Sequence, residues 1–215
     1  MSGLAQTLQP DFNGDIDLSD ESILAASRDA SIFEVRPAGI IAPRSVDDIK
    51  AAIKWAARET SQGNPISLAA RVGGTCMSGG PLTESYVLDL KRHLNHIGAL
   101  DERGRVIRVQ SGAMHIDVES RATERGLLFA PYTSSRDICG IGGMIGNNAS
   151  GEKSIKYGPT SSNVGELKVV LSDGNEYIFG PLTRHQVEEK KQLPTFEGEI
   201  YRRLTDILDK NKRVI

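Results

Sequence analysis

Apolar and polar positions fall into order from Gly39 onward. Ile40-Ile41-Ala42 is a short apolar run closed by Pro43, which predicts a buried strand. Val46, Ile49, Ala52, Ile53, Ala56 and Ala57 recur at helical spacing. Ser45 and Asp48 supply the two halves of a capping-box-like start, and Ser61-Gln62-Gly63-Asn64 before Pro65 ends that helix. Ile66-Ser67-Leu68-Ala69 predicts the next strand, so a β-α-β unit runs straight into a glycine-rich segment. Strands follow at Tyr86–Leu90, His96–Leu100 and Val106–Gln110, the last two joined as a hairpin across Asp101-Glu102-Arg103-Gly104. Ile116–Arg125 reads as a helix capped by Gly126. Residues 130–163 are rich in Gly, Ser, Asn and Pro and nearly aperiodic, which predicts a long functional loop. Val164–Leu171 and Glu176–Phe179 predict a hairpin around Asp173-Gly174, a type I′ signal. Phe196, Ile200, Leu204, Ile207 and Leu208 mark an amphipathic C-terminal helix. The stretch before Ala38 is acidic and weakly patterned; it reads as a loosely docked arm with a short helix near Glu21–Arg28.

Charge removes some classes of function. The 215 residues carry 26 Lys+Arg against 28 Asp+Glu, which excludes the strongly basic balance of a nucleic-acid binder. No apolar run approaches the ~20 residues of a membrane span. Met1–Pro10 has neither the basic nor the apolar region of a secretory signal. Cys76 and Cys139 are too few for a disulfide scaffold, so a cytoplasmic, reducing compartment is the expectation. The 22 glycines cluster, and that shifts the reading from a generic α/β domain toward a ligand-binding one.

The first cluster, Ala70–Gly80, follows a predicted strand. Gly73, Gly74, Gly79 and Gly80 permit positive φ and close approach, and successive N–H groups there can converge on an anion. Thr75 and Ser78 add hydroxyls. A diphosphate cradle and a tight surface loop are both consistent with this segment alone. The second cluster runs from Cys139 to Gly151. Gly140 and Gly142 begin a G-x-G-x-x-G pattern, but Ile145 stands at its third glycine. Gly146 and Gly151 have Walker spacing, but Glu152 stands where that motif needs lysine. What remains is a wall of glycine, asparagine and amide edges suited to a flat heteroaromatic ligand.

With Arg71–Gly80, Pro131–Ser135, Ile141–Asn148, Lys156-Tyr157-Gly158, Asn163-Val164-Gly165 and Ser172-Asp173-Gly174 in this order, the chain resembles a known family. It is similar to the FAD-binding (PCMH-type) domain of the vanillyl-alcohol-oxidase family, in the D-lactate, glycolate and D-2-hydroxyglutarate dehydrogenase branch. The resemblance implies an α+β fold of two small α/β subdomains, at about 38–100 and 100–180, with FAD between them. It implies roles by position. Arg71, Val72, Gly73, Gly74, Thr75, Cys76 and Met77 would wrap the pyrophosphate, extended by Ser78 and Gly79. Pro131, Ser134, Ser135, Gly140, Gly142 and Gly143 would flank the ribityl and flavin part. Asn147, Asn148, Ser150 and Gly151 would line the same wall, unless the asparagines serve only to form turns. Tyr157, read equally as a packing aromatic, and Gly158 would close the site, with Val164 touching the cofactor through its backbone. Thr75 stands where some members carry a flavin-linking histidine, so non-covalent FAD is expected.

The resemblance further implies an oxidoreductase that moves a hydride from a D-2-hydroxy acid to FAD. Its electrons would pass to a quinone, cytochrome, electron-transfer flavoprotein or iron–sulfur partner. In the family a cap domain follows and supplies the base and the substrate-binding arginines, and nothing in Leu182–Ile215 resembles it. The expectation is therefore an arm at 1–37, an FAD domain at 38–181, a truncated helical continuation at 182–215, and no catalytic residue of its own. Two alternatives stand beside it: a degenerate, non-catalytic FAD-domain fragment used for docking, and a flavin reductase of the enolpyruvyl-sugar type. His93 and His96 have H-x-x-H spacing without further ligands, so no metal site is expected, and both read as solvated. His115 and His185 carry no visible motif. Cys76 reads as a small buried residue or, in a positive loop, as a reactive thiol.

Overall fold

A computed structural model describes residues 7–214; the first six residues of the expected arm and Ile215 lie outside the described residues. The chain divides into two compact units, Met1–Asn163 and Val164–Ile215.

In the first unit a four-stranded sheet is built from Asp15–Asp17 (β1), Gly39–Ala42 (β2), Leu68–Arg71 (β3) and Tyr86–Asp89 (β4). The order is β1-β2-β4-β3, with β2, β4 and β3 parallel and β1 antiparallel on β2. The fourth strand thus inserts between the two strands of the predicted β-α-β unit. Tyr86, Val87 and Leu88 are all buried, as a central parallel strand requires. Strand alternation sorts the core into two layers. Ile41, Tyr86 and Leu88 pack with Ala52, Trp55 and Ala56 of the helix Val46–Ser61, which follows a short helix at Asp20–Ala26. Ile40 and Val87 face the other way, onto Ile23 and Ala26 of that short helix. We label Asp20–Ala26 α1 and Val46–Ser61 α2. Leu8 and Phe12 join the Trp55 layer. Residues 7–37 are therefore not a loose arm; they supply an edge strand, a covering helix and core side chains.

The start of α2 is built as its sequence predicts. Ser45 accepts the Asp48 N–H, and the Asp48 carboxylate returns to the Ser45 N–H at 3.0 Å. The same buried carboxylate also accepts the N–H of Asn13 at 2.8 Å and of Arg44 at 2.9 Å. Burial alone would raise its pKa, but the three backbone donors and the Ser45 hydroxyl outweigh that and hold it below the ordinary value. Its contribution to stability is complete above the unfolded carboxylate range and is lost as pH falls through the lower folded-state value. Asp48→Asn should therefore cost about 2 kcal/mol by leaving buried donors unpaired. Thermal melts should show a fall of roughly 4–8 °C at neutral pH, narrowing on acidification.

Strand β3 begins at Leu68, two residues later than predicted. Ile66 is held instead by the Thr60 hydroxyl, which bonds both its N–H and its carbonyl. The remainder of the first unit contains the hairpin Ile97–Asp101 (β5) and Val106–Val109 (β6), and the helices His115–Thr123 (α3), Ile141–Gly146 (α4) and Ser154–Tyr157 (α5). Residues 130–163 are thus not a plain loop. Ile141 and Met144 pack with Ala113, Val118 and Cys139, with Ile145 alongside, so a helical stripe lies hidden among glycines.

In the second unit Leu167–Val170 (β7) and Glu176–Phe179 (β8) form the expected antiparallel pair, followed by helices Arg184–Gln192 (α6) and Phe196–Lys210 (α7). Tyr201 of α7 lies 6.3 Å from the Phe179 ring. The connecting turn is not type I′, which needs two residues at positive φ; only Gly174 has one, at 72°. Asp173 instead spends its carboxylate on the Asn175 N–H and the Tyr177 hydroxyl. Among the described residues no helix is long and apolar enough to cross a membrane.

Candidate functional site

The first glycine-rich segment leaves the carboxyl end of β3, the place where open parallel sheets present ligands. Gly74 and Gly79 have positive φ, at 64° and 79°. Gly73 needs glycine for a different reason: a Cβ there would lie 2.2 Å from the Ile138 carbonyl oxygen. At Gly140 a Cβ would lie 2.1 Å from the Val72 side chain. The two glycine-rich segments therefore touch each other, with Val72-Gly73 against Ile138-Cys139-Gly140.

The second segment is held in place from behind. The N–H groups of Ile141 and Gly142 donate to the carbonyls of Ala113 and Ser111 at 2.9 and 2.8 Å. His115 N–H donates to Cys139 O at 3.0 Å. Gly112 sits so close to the carbonyls of Leu90 and Leu94 that only hydrogen fits on its Cα. On the other side, Cβ atoms at Gly143 and Gly146 would meet nothing within 4 Å. The packed side of α4 is apolar and its free side is bare backbone.

Pro131–Ser135 borders the same region. A Cβ at Gly151 would press on Tyr132 and Thr133 at 3.0–3.3 Å. Tyr132 is buried, with Lys153 Nζ 4.2 Å and Arg136 Cζ 5.1 Å from its ring centroid. Arg136 also donates to its hydroxyl. Burial, and then a hydrogen bond with Glu152, push the phenol pKa up. His115 is wholly buried, its Nε2 donating to the Pro131 carbonyl at 3.1 Å and its ring edge-on to Phe129. One residue thus anchors both Pro131 and, through its backbone, Cys139. None of Ser111, Gly112, His115, Arg136 and Lys153 stands out in the sequence, and Tyr132 is covered there only as a member of the Pro131–Ser135 stretch. The only signal for His115 is its place ahead of a helical stripe.

The remaining expected site residues fall as follows. Arg71 lays its guanidinium against Gly74 of the loop and donates from it to the carbonyls of Arg28 at 2.6 Å and Ala26 at 3.4 Å. Burial lowers its pKa, with Asp29 and Asp89 opposing that. Thr75 and Cys76 are half-buried, whereas Met77 and Ser78 are exposed. The Ser78 hydroxyl 3.2 Å from Cys76 Sγ, then the N–H groups of Ser78 and Gly80, lower that thiol's pKa, whereas burial raises that of Cys139. Ser134 and Ser150 are exposed, and Ser135 is half-buried beside the Thr133 hydroxyl at 3.3 Å. Asn147 bonds back to Gly143 O, and Asn148, at φ 46°, accepts the Ser161 N–H. Both asparagines thus have turn roles. Tyr157 is half-buried under Lys156, Gly158 has φ 79°, and Val164 opens the second unit. His93 is not a solvated loop residue: its Nε2 lies 2.6 Å from Asp15 Oδ2, which ties it to β1. Among the described residues no His, Cys, Asp and Glu cluster could hold a metal ion.

This arrangement fits a bulky dinucleotide. Bare backbone at the end of a parallel strand suits a diphosphate, and the open glycine face of α4 leaves room for a flat ring. The comparisons agree. The family described as FAD binding domain matches residues 37–180. The chain is 33% identical over 210 residues to D-2-hydroxyglutarate dehydrogenase of Pseudomonas putida, covering 95% of this chain and 20% of that protein. It is 31% identical to the enzyme of the same name from Pantoea ananatis, covering 90% and 19%. To glycolate oxidase subunit GlcD of Bacillus subtilis it is 31% identical, covering 79% and 36%. The chain thus spans about a fifth of the length of these dehydrogenases. Among solved structures, 6-hydroxy-D-nicotine oxidase from Arthrobacter nicotinovorans superposes with TM-score 0.69 at 23% identity, covering 82% of this chain and 38% of that one. Alkyldihydroxyacetonephosphate synthase gives 0.70 at 17%, covering 85% and 35%. The fold is that shared with these two structures, α+β and of the PCMH type.

Proposed function

The chain belongs to the FAD binding domain family, and on that premise we propose that it is the FAD-holding part of a dehydrogenase acting on a D-2-hydroxy acid. The observation that carries the cofactor part is the contact of the two glycine-rich segments at Gly73 and Gly140, beside the open glycine face of α4. Residues 72–79 would hold the diphosphate through backbone N–H groups. The α4 glycines and the Pro131–Ser135 stretch would take the ring system. FAD, when bound, supplies the acceptor for a hydride from a hydroxyl-bearing carbon. Lys153 and Arg136 place positive charge at Tyr132, beside that wall. Thr75 offers no linking nucleophile, so flavin should appear in the supernatant after acid precipitation.

The test is a flavin titration of wild type and Gly143→Ala. In the ligand-free protein the alanine should stabilise α4 by about 0.5–1 kcal/mol, because glycine is a poor helix former and its Cβ meets open space. FAD affinity should nonetheless fall about tenfold or more, since a methyl would intrude where the ring lies. A wild type that takes up no flavin refutes the cofactor reading, and a variant with unchanged affinity removes α4 from the site. The hydroxy-acid part is supported by the P. putida and P. ananatis relatives. It is checked on protein expressed from the complete reading frame. Anaerobic flavin bleaching by D-2-hydroxyglutarate, D-lactate or glycolate, and not by L-2-hydroxyglutarate, supports it.

A further inference from the structure

Residues 26–34 precede the span matched to the FAD binding domain family, which begins at residue 37. They nevertheless reach the first glycine-rich loop at both of its positive-φ glycines, directly at Gly79 through Phe33 and indirectly at Gly74 through the Arg71 side chain that they hold. The segment is a self-contained turn. Arg28 and Glu34 pair as an antiparallel bridge with an ion pair at 2.6 Å, Val35 N–H closes on Ser27 O at 2.9 Å, and Asp29 accepts the Ser31 N–H at 2.8 Å. Arg71 reaches out of β3 and donates to the carbonyls of Arg28 and Ala26. Its guanidinium lies against Gly74, where a Cβ would come within 2.3 Å of Nη2. Five residues on, the Phe33 ring lies over Gly79, where a Cβ would be 3.3 Å from it. Asp29 acts electrostatically on both Arg71 and Cys76, which places its charge beside the same loop.

We infer that the 26–34 turn is a brace for the 72–79 loop and that Arg71 is its positioning residue, so that order in the loop depends on a segment outside the family domain. A guanidinium suits this task. It only donates, as a lysine ammonium does, but its rigid planar fork can serve two carbonyls at once in a fixed geometry that the ammonium lacks. A loop already held in place does not have to be ordered when a ligand arrives. The effect on affinity rests on the cofactor reading above, whereas the effect on loop order does not. Coupling of this kind is reciprocal, so FAD in the loop must also steady the turn.

The experiment is amide hydrogen exchange read by mass spectrometry, with and without FAD, on wild type, Arg71→Met, Arg71→Lys and Phe33→Ala. In ligand-free protein, exchange across 72–80 should quicken in Arg71→Met and, less, in the other two. FAD should slow exchange of 26–34 in wild type and not in Arg71→Met. Its affinity should fall about 10- to 100-fold in that variant, the range carried by hydrogen bonds to a charged group. A role confined to stability would lower the melting temperature and leave local exchange and flavin affinity as they were; that result overturns the inference. So does FAD that protects 72–80 while leaving 26–34 unchanged. If wild type takes up no FAD while 72–80 still quickens in the variants, the brace stands and the cofactor reading falls. Should Arg71→Met not fold, Arg71→Lys and the half-exposed Phe33→Ala carry the same comparison.

Discussion

Alanine at position 73 is expected to abolish flavin uptake while leaving the fold in place. The added Cβ would lie 2.2 Å from the Ile138 carbonyl oxygen and 3.2 Å from Cys139 Cα. Both obstacles are backbone, so no side-chain rotation relieves them. The two glycine-rich segments must separate instead, and overpacking of this kind costs about 3 kcal/mol. That strain falls on the apposition that forms the cradle, so FAD affinity should drop about 100-fold or more. The sheet core of Ile41, Trp55, Tyr86 and Leu88 is a separate cluster, and far-UV circular dichroism should change little. Gly80→Ala is the matched control: its Cβ would be 3.1 Å from Cys76 Sγ, a side chain that can turn away, and the effect should be small. A flavin titration of the two variants decides the matter. Wild-type occupancy in Gly73→Ala would show that the contact of the two segments is not the cofactor site.

The cradle's two loops could be read from sequence, but their contact could not. The α2 start was legible because Ser45 and Asp48 are local to one another and the Ala52–Ala56 stripe has a single period. Strand order was not, because the insertion of Tyr86–Asp89 between two earlier strands depends on pairing across long separations. Helix α4 was hidden by its own composition. Gly142, Gly143 and Gly146 suppress helix propensity, and only the packing of Ile141 and Met144 on Val118 and Ala113 restores it. Clustered glycines announce close approach in general but not the partner. Gly73 and Gly140 are 67 positions apart, and what each touches is settled only in three dimensions. Arg71 opens the motif, where the resemblance implies a backbone contact with the cofactor; what the sequence does not reveal is its side chain's use, the guanidinium being committed to carbonyls 43 and 45 positions earlier. Backbone carbonyls leave no trace in a sequence, so no inspection of residue types would have found them. His115 escapes notice for a related reason, and Tyr132 is reached only as a member of the Pro131–Ser135 stretch: each acts through neighbours that appear only after chain reversal.

The largest loss of stability is expected at a glycine that neither motif contains. Gly112 lies between the β6 strand and α3, with its N–H donating to Leu94 O at 2.8 Å. A Cβ there would sit 2.0 Å from Leu90 O and 2.6 Å from Leu94 O. Alanine must therefore push two carbonyls away and break the buried bond to one of them. Overpacking and the lost bond together amount to about 4 kcal/mol, a large share of the ~5–15 kcal/mol that holds a domain folded. At 2–4 °C per kcal/mol, the melting temperature should fall by roughly 8–16 °C. The damage should also reach the candidate site, since Ser111 and Ala113 on either side of Gly112 receive the N–H groups of Gly142 and Ile141. Amide exchange at 139–146 should therefore quicken in whatever fraction of Gly112→Ala remains folded, and flavin binding should weaken with it. Gly63→Ala makes the contrast: that glycine has φ 89° and nothing within 4 Å of a Cβ, so it meets backbone strain alone. Its loss should stay near 1–2 kcal/mol, the cost of a left-handed non-glycine residue, with exchange at 139–146 unaltered. Equal losses in the two variants would mean that the Gly112 backbone can relax freely, and that the second glycine-rich segment is not held by the Ser111–Ala113 turn behind it.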